Sequence, residues 1–287
     1  VKTTLRMGDL LELDAPSVQH RLKVIIDSKN LVLENVYNQE PLSYDEIMEW
    51  CRSQAEFFKD YICDVGTLLG AAAGQGKNIL FEAQLGALRD IDYGIYPFTS
   101  SSNTIASYAP IGAGIPGCAL DNVVGVMKAY STCVGEGPFA AETAMGEAWN
   151  EKLRESGGEF GAATGRPRRV GPFDAVASRY GIRCQKAQDI ALTKLDVLGA
   201  FDKIPVITGY RLHGVLLDSF PTDSRLEEAE PVIEELPGWG CDISGCRSWK
   251  DLPENARKYV CTLEKLVDHP IYLVSTGAER DAYLLRE

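Results

Sequence analysis

The chain has 287 residues, 45% hydrophobic and 24% charged, with 41 acidic against 29 basic side chains for a formal charge of −12. That length suits about two domains, or one large domain with an inserted subdomain. The acidic balance argues against a broad basic face for nucleic acid or an anionic membrane, and no apolar run reaches the roughly 18 residues of a membrane-spanning helix.

In chain order, a short helix is expected around Val18 to Ser28. A longer one is expected from Ser43 to Leu69, where Ser43 and Glu46 form a capping box and Ile47, Trp50, Cys51, Phe58, Tyr61, Ile62, Val65 and Leu68 recur at helical spacing. Gly74 and Gly76 end it, giving a helical subdomain over 1–76. Asn78 to Glu82 reads as a short buried strand opening a second region, 77–128. Gly112 to Gly117 matches Gly-x-Gly-x-x-Gly in form, but a polar loop rather than a strand precedes it, so a dinucleotide site is rejected. Val123 to Tyr130 is expected to be helical. Within 129–287, a helix is expected from Asp174 and another from Pro253, with strands near Ile190–Leu192, Ile204–Tyr210, Val215–Phe220 and Ile271–Val274. The alternation gives an α/β class: a central, largely parallel sheet with flanking helices, a helical start and a C-terminal α+β portion.

The eight cysteines are dispersed without a Cys-x-x-Cys pair, and His20, His213 and His269 stand far from them, so no zinc pattern arises and reduced thiols in a cytoplasmic protein are favoured.

Three stretches carry chemistry. Gly158 to Arg169 sets three glycines and three arginines in twelve residues, a pattern for carboxylates or phosphates because guanidinium forks match them and glycine lets backbone approach closely. Thr193-Lys194-Leu195-Asp196 resembles the guanine-recognition tetrapeptide of GTP-binding proteins, in which a carboxylate accepts from the N1 proton and exocyclic amine of the base. Ser275-Thr276-Gly277 follows a second expected strand and offers a hydroxyl and backbone donors. The hydroxyl-rich run Thr99 to Thr104 reads equally well as an anion-binding or a plain polar loop.

Taken in order with Phe81 to Asp92, Tyr96 to Thr104, Lys128 to Thr132 and Val134 to Phe139, these stretches resemble adenylosuccinate synthetase over essentially the whole chain. The resemblance implies a GTP- and magnesium-dependent ligase that joins L-aspartate to inosine monophosphate (IMP), a cytoplasmic homodimer that needs neither nucleic acid nor membrane. It implies IMP contacts from Lys2, Gln84, Ser100, Val134 and Arg166, aspartate contacts from Thr164, Arg166 and Arg168, and GTP contacts from Arg168, Lys194, Asp196, Ser275 and Gly277. Gln84 and Arg166 are the implied catalytic residues.

The chain also departs from the family pattern. In the family's Glu-Gly-Ala-Gln-Gly segment a glutamine stabilises the purine 6-oxyanion. Here the segment reads Glu82-Ala83-Gln84-Leu85-Gly86, so Leu85 takes the matching position and Gln84 is the nearby amide. Lys2 stands where the family has an arginine that reaches into the neighbouring subunit, and Ala278 stands where a proline is usual. The family's phosphate loop, which carries the magnesium ligand, and the histidine acid after it have no counterpart in these residues, because Val1 to Leu10 resembles a segment downstream of both. The expectation is therefore a portion of the ligase that is inactive alone. The alternative is a non-catalytic purine-nucleotide-binding module.

Overall fold

The computed structural model describes residues 4–162, 164–217 and 219–286. Two compact units are present: Val1–Ile79 with Ala113–Ile115, and Leu80–Gly112 with Pro116–Glu287.

The first unit is helical. A 3-10 turn over Met7–Glu12 leads into α1 (Pro16–Asn35), α2 (Tyr44–Phe58), a 3-10 turn over Lys59–Tyr61, and α3 (Val65–Gly74). α1 starts with Pro16 at its first position and buries Val18, Leu22 and Ile26, spaced four apart, against Met48 and Cys51 of α2. It runs well past the short helix predicted from sequence. The single helix predicted to Leu69 is instead two, because Asp64 breaks in as a new N-cap, accepting from the Thr67 N–H at 3.0 Å and the Thr67 hydroxyl at 2.7 Å.

The second unit contains α4 (Ala109–Gly112), β1 (Val124–Lys128), β2 (Ser131–Cys133), α5 (Ala140–Thr143), α6 (Glu147–Gly157), β3 (Arg169–Gly171), β4 (Phe173–Asp174), α7 (Ala175–Gln185), β5 (Asp189–Thr193), β6 (Lys203–Leu212), β7 (Val215–Leu216), β8 (Glu230–Pro237), α8 (Glu254–Val267), β9 (Leu273–Ser275) and β10 (Tyr283–Leu285). Its main sheet has the order β1-β5-β9-β10, with the first three strands parallel and the last antiparallel. A second sheet is built on β6, which pairs parallel with β4 and antiparallel with β7 and β8. β2 and β3 form an antiparallel ribbon. The class is α/β.

Two elements differ in kind from the sequence expectation. Val123 to Tyr130 is not helical: Val124–Lys128 pairs in parallel register with Asp189–Thr193, since a short run of β-branched residues can satisfy either pattern and an available edge decides it. Asn78 to Glu82 forms no regular structure, and Leu80 is 94% exposed, so no sheet buries that segment. The strand expected over Val215–Phe220 shortens to two residues, while Phe220 turns inward to pack on Tyr180 and Tyr210. α8 lays Ala256, Tyr259, Val260, Leu263 and Val267 on the main sheet, and the Tyr259 hydroxyl donates to the Ala129 carbonyl at 2.7 Å, fixing the end of β1.

Candidate functional site

Parallel strands deliver their carboxyl ends to one edge, where α/β proteins carry ligand loops. The register sets Lys128, the last residue of β1, opposite Thr193 of β5, and Leu192 of β5 opposite Val274 of β9. Lys194 and Asp196 therefore emerge beside Ser275. Lys194 takes a left-handed conformation with φ of 60°, uncommon for a residue with a side chain and maintained only where the surroundings over-determine it. The fully buried Leu195 anchors the turn, a contribution of about 2 kcal/mol for a side chain of that size.

Asp196 is half-buried, and that burial, reinforced by Asp242 and opposed by Lys194, raises its carboxyl above the usual range. The neighbouring Ser275 hydroxyl donates to the Gly277 carbonyl at 2.9 Å, and buried Thr276 donates to the Cys246 carbonyl at 3.2 Å. The Asp242–Ser244 turn belongs to the same edge, since a Cβ on Gly277 would lie 3.9 Å from that of Ser244.

The arginine stretch is a hairpin. Its closing bonds run from the Arg168 N–H to the Glu159 carbonyl at 2.9 Å and from the Gly161 N–H to the Arg166 carbonyl at 2.8 Å, with Phe160 and Pro167 paired between them. Gly165, at φ of 64°, supplies the left-handed residue of the turn. The Thr164 hydroxyl accepts from the Arg166 N–H at 3.3 Å.

The three arginines have different employments. Arg169 is committed to Glu142, to the Gly135 and Gly137 carbonyls, and to the Phe139 ring. Arg168 is held by Glu159 at 2.9 Å. Arg166 is exposed, and its guanidinium meets no partner among the described residues.

Glu159 joins the hairpin to the strand ends. It is fully buried, delivered by the C-terminus of α6, where Gly158 turns left-handed and the Glu159 N–H bonds back to the Arg154 carbonyl at 2.9 Å. Its Oε1 accepts from Lys128 Nζ at 2.8 Å and the Tyr130 hydroxyl at 2.6 Å, with Lys194 Nζ at 3.5 Å, while Oε2 accepts from Arg168. Burial by itself would raise this carboxyl, but the bonds from Lys128 and Tyr130 and the charges of Lys128 and Lys194 prevail, holding it at about 2. Burial lowers the Lys128 ammonium, with Lys194 and Arg168 adding to the effect against Glu159, and burial raises the Tyr130 phenol, with Glu159 adding to it.

A third wall comes from residues 84–104. The Arg89 guanidinium donates to the Phe98 carbonyl, to Glu136 and Val134 carbonyls at 3.1 Å each, and to Cys133 Sγ at 2.8 Å, tying this segment to the turn after β2. The Ser100 N–H donates to the Arg89 carbonyl at 2.8 Å. Buried Asp90 organises the hydroxyl run: burial opposes its charge, but N–H donors of Thr104, Asp92 and Tyr93 outweigh it and keep the carboxyl below the usual range.

A sequence profile described as adenylosuccinate synthetase matches residues 1–284. Adenylosuccinate synthetase of Trichlorobacter lovleyi is 46% identical over 282 residues, which are 98% of this chain and 64% of that protein. That of Parafrankia sp. is 44% identical over 280 residues, covering 97% of this chain and 65% of its relative. The chain belongs to the adenylosuccinate synthetase family. The structure of fully ligated adenylosuccinate synthetase from Plasmodium falciparum superposes with a TM-score of 0.90 at 32% identity, covering 100% of this chain and 67% of that one. The chain thus spans just under two thirds of the length of the two sequence relatives.

Of the residues that the family resemblance singles out, Lys194, Asp196, Ser275 and Gly277 share one strand-end edge, and Arg168 reaches it through Glu159. Val134 is 73% exposed and adjoins the hairpin base, since Cys133 pairs with Arg169. Ser100 is tied to that turn through Arg89. Gln84 and Leu85 are both exposed in a segment without regular structure, Leu85 at φ of 72°, and neither is drawn into this network. Lys2 lies outside the described residues.

Sequence reasoning missed Glu159, Lys128, Tyr130 and Arg89 as site members. Glu159 sits inside the stretch of glycines and arginines, but nothing local in the sequence marks it out. Magnesium goes with the adenylosuccinate synthetase resemblance; among the described residues no three His, Cys, Asp or Glu side chains gather as a cation site.

Proposed function

We propose that this chain carries the guanine-reading and aspartate-facing part of a GTP-dependent ligase that joins L-aspartate to IMP. The observation that supports the reading is the link from Arg168 through Glu159 to Lys194, which joins the arginine hairpin to the turn after β5.

Asp196 accepts from the N1 proton and exocyclic amine of guanine, the Lys194 stem packs along the base, and Ser275 and Gly277 line its edge. Thr164, Arg166 and Arg168 take the two carboxylates of aspartate, with Arg168 also facing the nucleotide. Ser100 meets the IMP phosphate, Val134 the ribose, Arg166 the nucleotide, and Gln84 the 6-oxygen. The purine 6-oxygen is a poor leaving group until it accepts the γ-phosphoryl of GTP. The aspartate amine then attacks C6 and inorganic phosphate departs with the C6–O6 electron pair, negative charge that fixed cations stabilise.

Calorimetric titration with GTP, IMP and L-aspartate tests the assignment. Asp196→Ala is expected to lose preference for GTP over ATP while IMP binding persists, and Arg166→Ala to lose aspartate by tenfold or more, on the order of 1.4 kcal/mol. Binding of GTP and ATP with equal affinity by the unmodified chain would overturn the guanine assignment. Nucleotide binding by the complete protein with no adenylosuccinate formed from the three substrates would instead favour a non-catalytic module.

A further inference from the structure

We infer that Glu159 is a positioning residue that couples occupancy of the guanine edge to the affinity of the arginine hairpin for its carboxylate ligand. This inference rests on the division of labour proposed above and adds to it a reciprocal link between the two halves.

The geometry is that of a shared charge. One buried carboxylate is divided between two functional groups: Oε2 holds Arg168 of the hairpin, while Oε1 faces Lys194 of the strand-end turn, with Lys128 and Tyr130 fixing its position. The backbone adds a second tie, because the Arg168 N–H donates to the Glu159 carbonyl at 2.9 Å. Lys194 is held only partly by Glu159, since its Nζ also donates to the Gly157 carbonyl at 2.5 Å. Its side chain remains 38% exposed at that point, against 0% for Glu159. Of the three cations it is the one farthest from the carboxylate, and its ammonium can shift when a base packs along its stem.

Three cations share this one carboxylate, and the charge of Asp196 also acts on Lys194. Any displacement of Lys194 redistributes the field on Glu159, and Arg168 is the partner that feels it, because Lys128 is the last residue of β1 and Tyr130 is buried just beyond it. A ligand that moves Lys194 away from Glu159 leaves more of that carboxylate's charge to Arg168 and fixes its guanidinium on the already closed hairpin, so that less side-chain freedom is lost when a carboxylate ligand binds there. By linkage, a carboxylate ligand on the hairpin must then favour the guanine edge by the same factor.

The test is a thermodynamic cycle on the 287-residue chain with saturating IMP throughout. GDP is titrated with and without saturating L-aspartate, and L-aspartate with and without GDP. The unmodified chain is expected to bind each ligand about fivefold or more tighter in the presence of the other. Glu159→Gln is expected to bring that factor to about one, a change that simple loss of stability does not produce. Should Glu159→Gln not fold at the titration temperature, Glu159→Asp keeps the charge but withdraws it by one methylene, and the factor should drop at least about threefold. Independent binding in the unmodified chain, or an undiminished factor in the variant that folds, overturns the coupling and leaves the site assignment standing. Failure of either ligand to bind the unmodified chain overturns the site assignment itself, and the coupling with it.

Discussion

Two buried carboxylates in the same unit have opposite electrostatic lives. Glu159 is 0% exposed and Asp174 5%, and each accepts from a buried tyrosine hydroxyl, Tyr130 and Tyr210 respectively. Asp174 caps α7 by accepting from the Ala177 N–H at 2.9 Å, and burial raises its carboxyl, with the Ala177 and Tyr210 bonds offsetting only part of that effect. Glu159 meets the same penalty yet is held at about 2, because Lys128, Arg168 and Lys194 surround it. Burial and a tyrosine partner are therefore common to both, and cations make the difference. Asp174 is a helix cap that tolerates its position. Glu159 is a charge that its surroundings require.

The comparison would break most visibly on isosteric amides. Glu159→Gln removes a buried anion from three partly exposed cations, and since removal of one partner from a fully buried ion pair costs about 3–5 kcal/mol, a loss of about 2–3 kcal/mol is expected with solvent screening the cations. Asp174→Asn keeps a good helix cap and an acceptor for Tyr210, and should cost about 1 kcal/mol or less. Urea unfolding at neutral pH measures both. Equal losses would mean that the cations around Glu159 contribute nothing beyond what a neutral acceptor supplies.

Sequence alone made the separate pieces of this site legible and left their meeting hidden. Thr193 to Asp196 and Ser275 to Gly277 could be read as strand-end turns because short apolar runs precede them. Glu159 could not be given a role, since the residues that define it, Lys128 and Tyr130, lie 31 and 29 positions away and belong to a segment expected to be helical. That misreading had a physical source: Val123 to Met127 is apolar without clean alternation, and parallel pairing to β5, a contact far along the chain, settles it. The break before α3 was more accessible, because Asp64 and Thr67 stand at capping spacing. The three arginines of the hairpin looked equivalent in sequence, whereas Glu142 claims Arg169 and Glu159 claims Arg168.

A smaller effect sharpens the same comparison from the backbone side. A Cβ on Gly157 would stand 2.5 Å from the Tyr130 hydroxyl, which is buried and cannot retreat without releasing Glu159. Alanine gains up to about 1 kcal/mol of helix preference at the end of α6, but the overpacking costs about 1–3 kcal/mol. Gly157→Ala is therefore expected to be net destabilising by about 1–2 kcal/mol. A thermal melt at or above that of the unmodified chain would show that Tyr130 has room to move and that the Glu159 cluster is looser than its distances indicate.

The finest discrimination is the sign of the pH dependence. Glu159 has a folded value near 2 against an ordinary 4.5, so its stabilisation is complete above about 4.5 and fades as pH falls toward 2. Asp174 is raised above its ordinary 3.8, so its contribution is present below 3.8 and declines as pH rises through the folded value. Measured against the unmodified chain, Glu159→Gln should thus fall further behind as pH increases from 2 to 4.5. Asp174→Asn should catch up as pH increases above 3.8. Urea midpoints across that acid range separate the two, because a stability change caused merely by lost packing shifts both curves in parallel. Parallel curves would place Glu159 and Asp174 in the same class of buried acid, and the cations around Glu159 would then have no measurable hold on it.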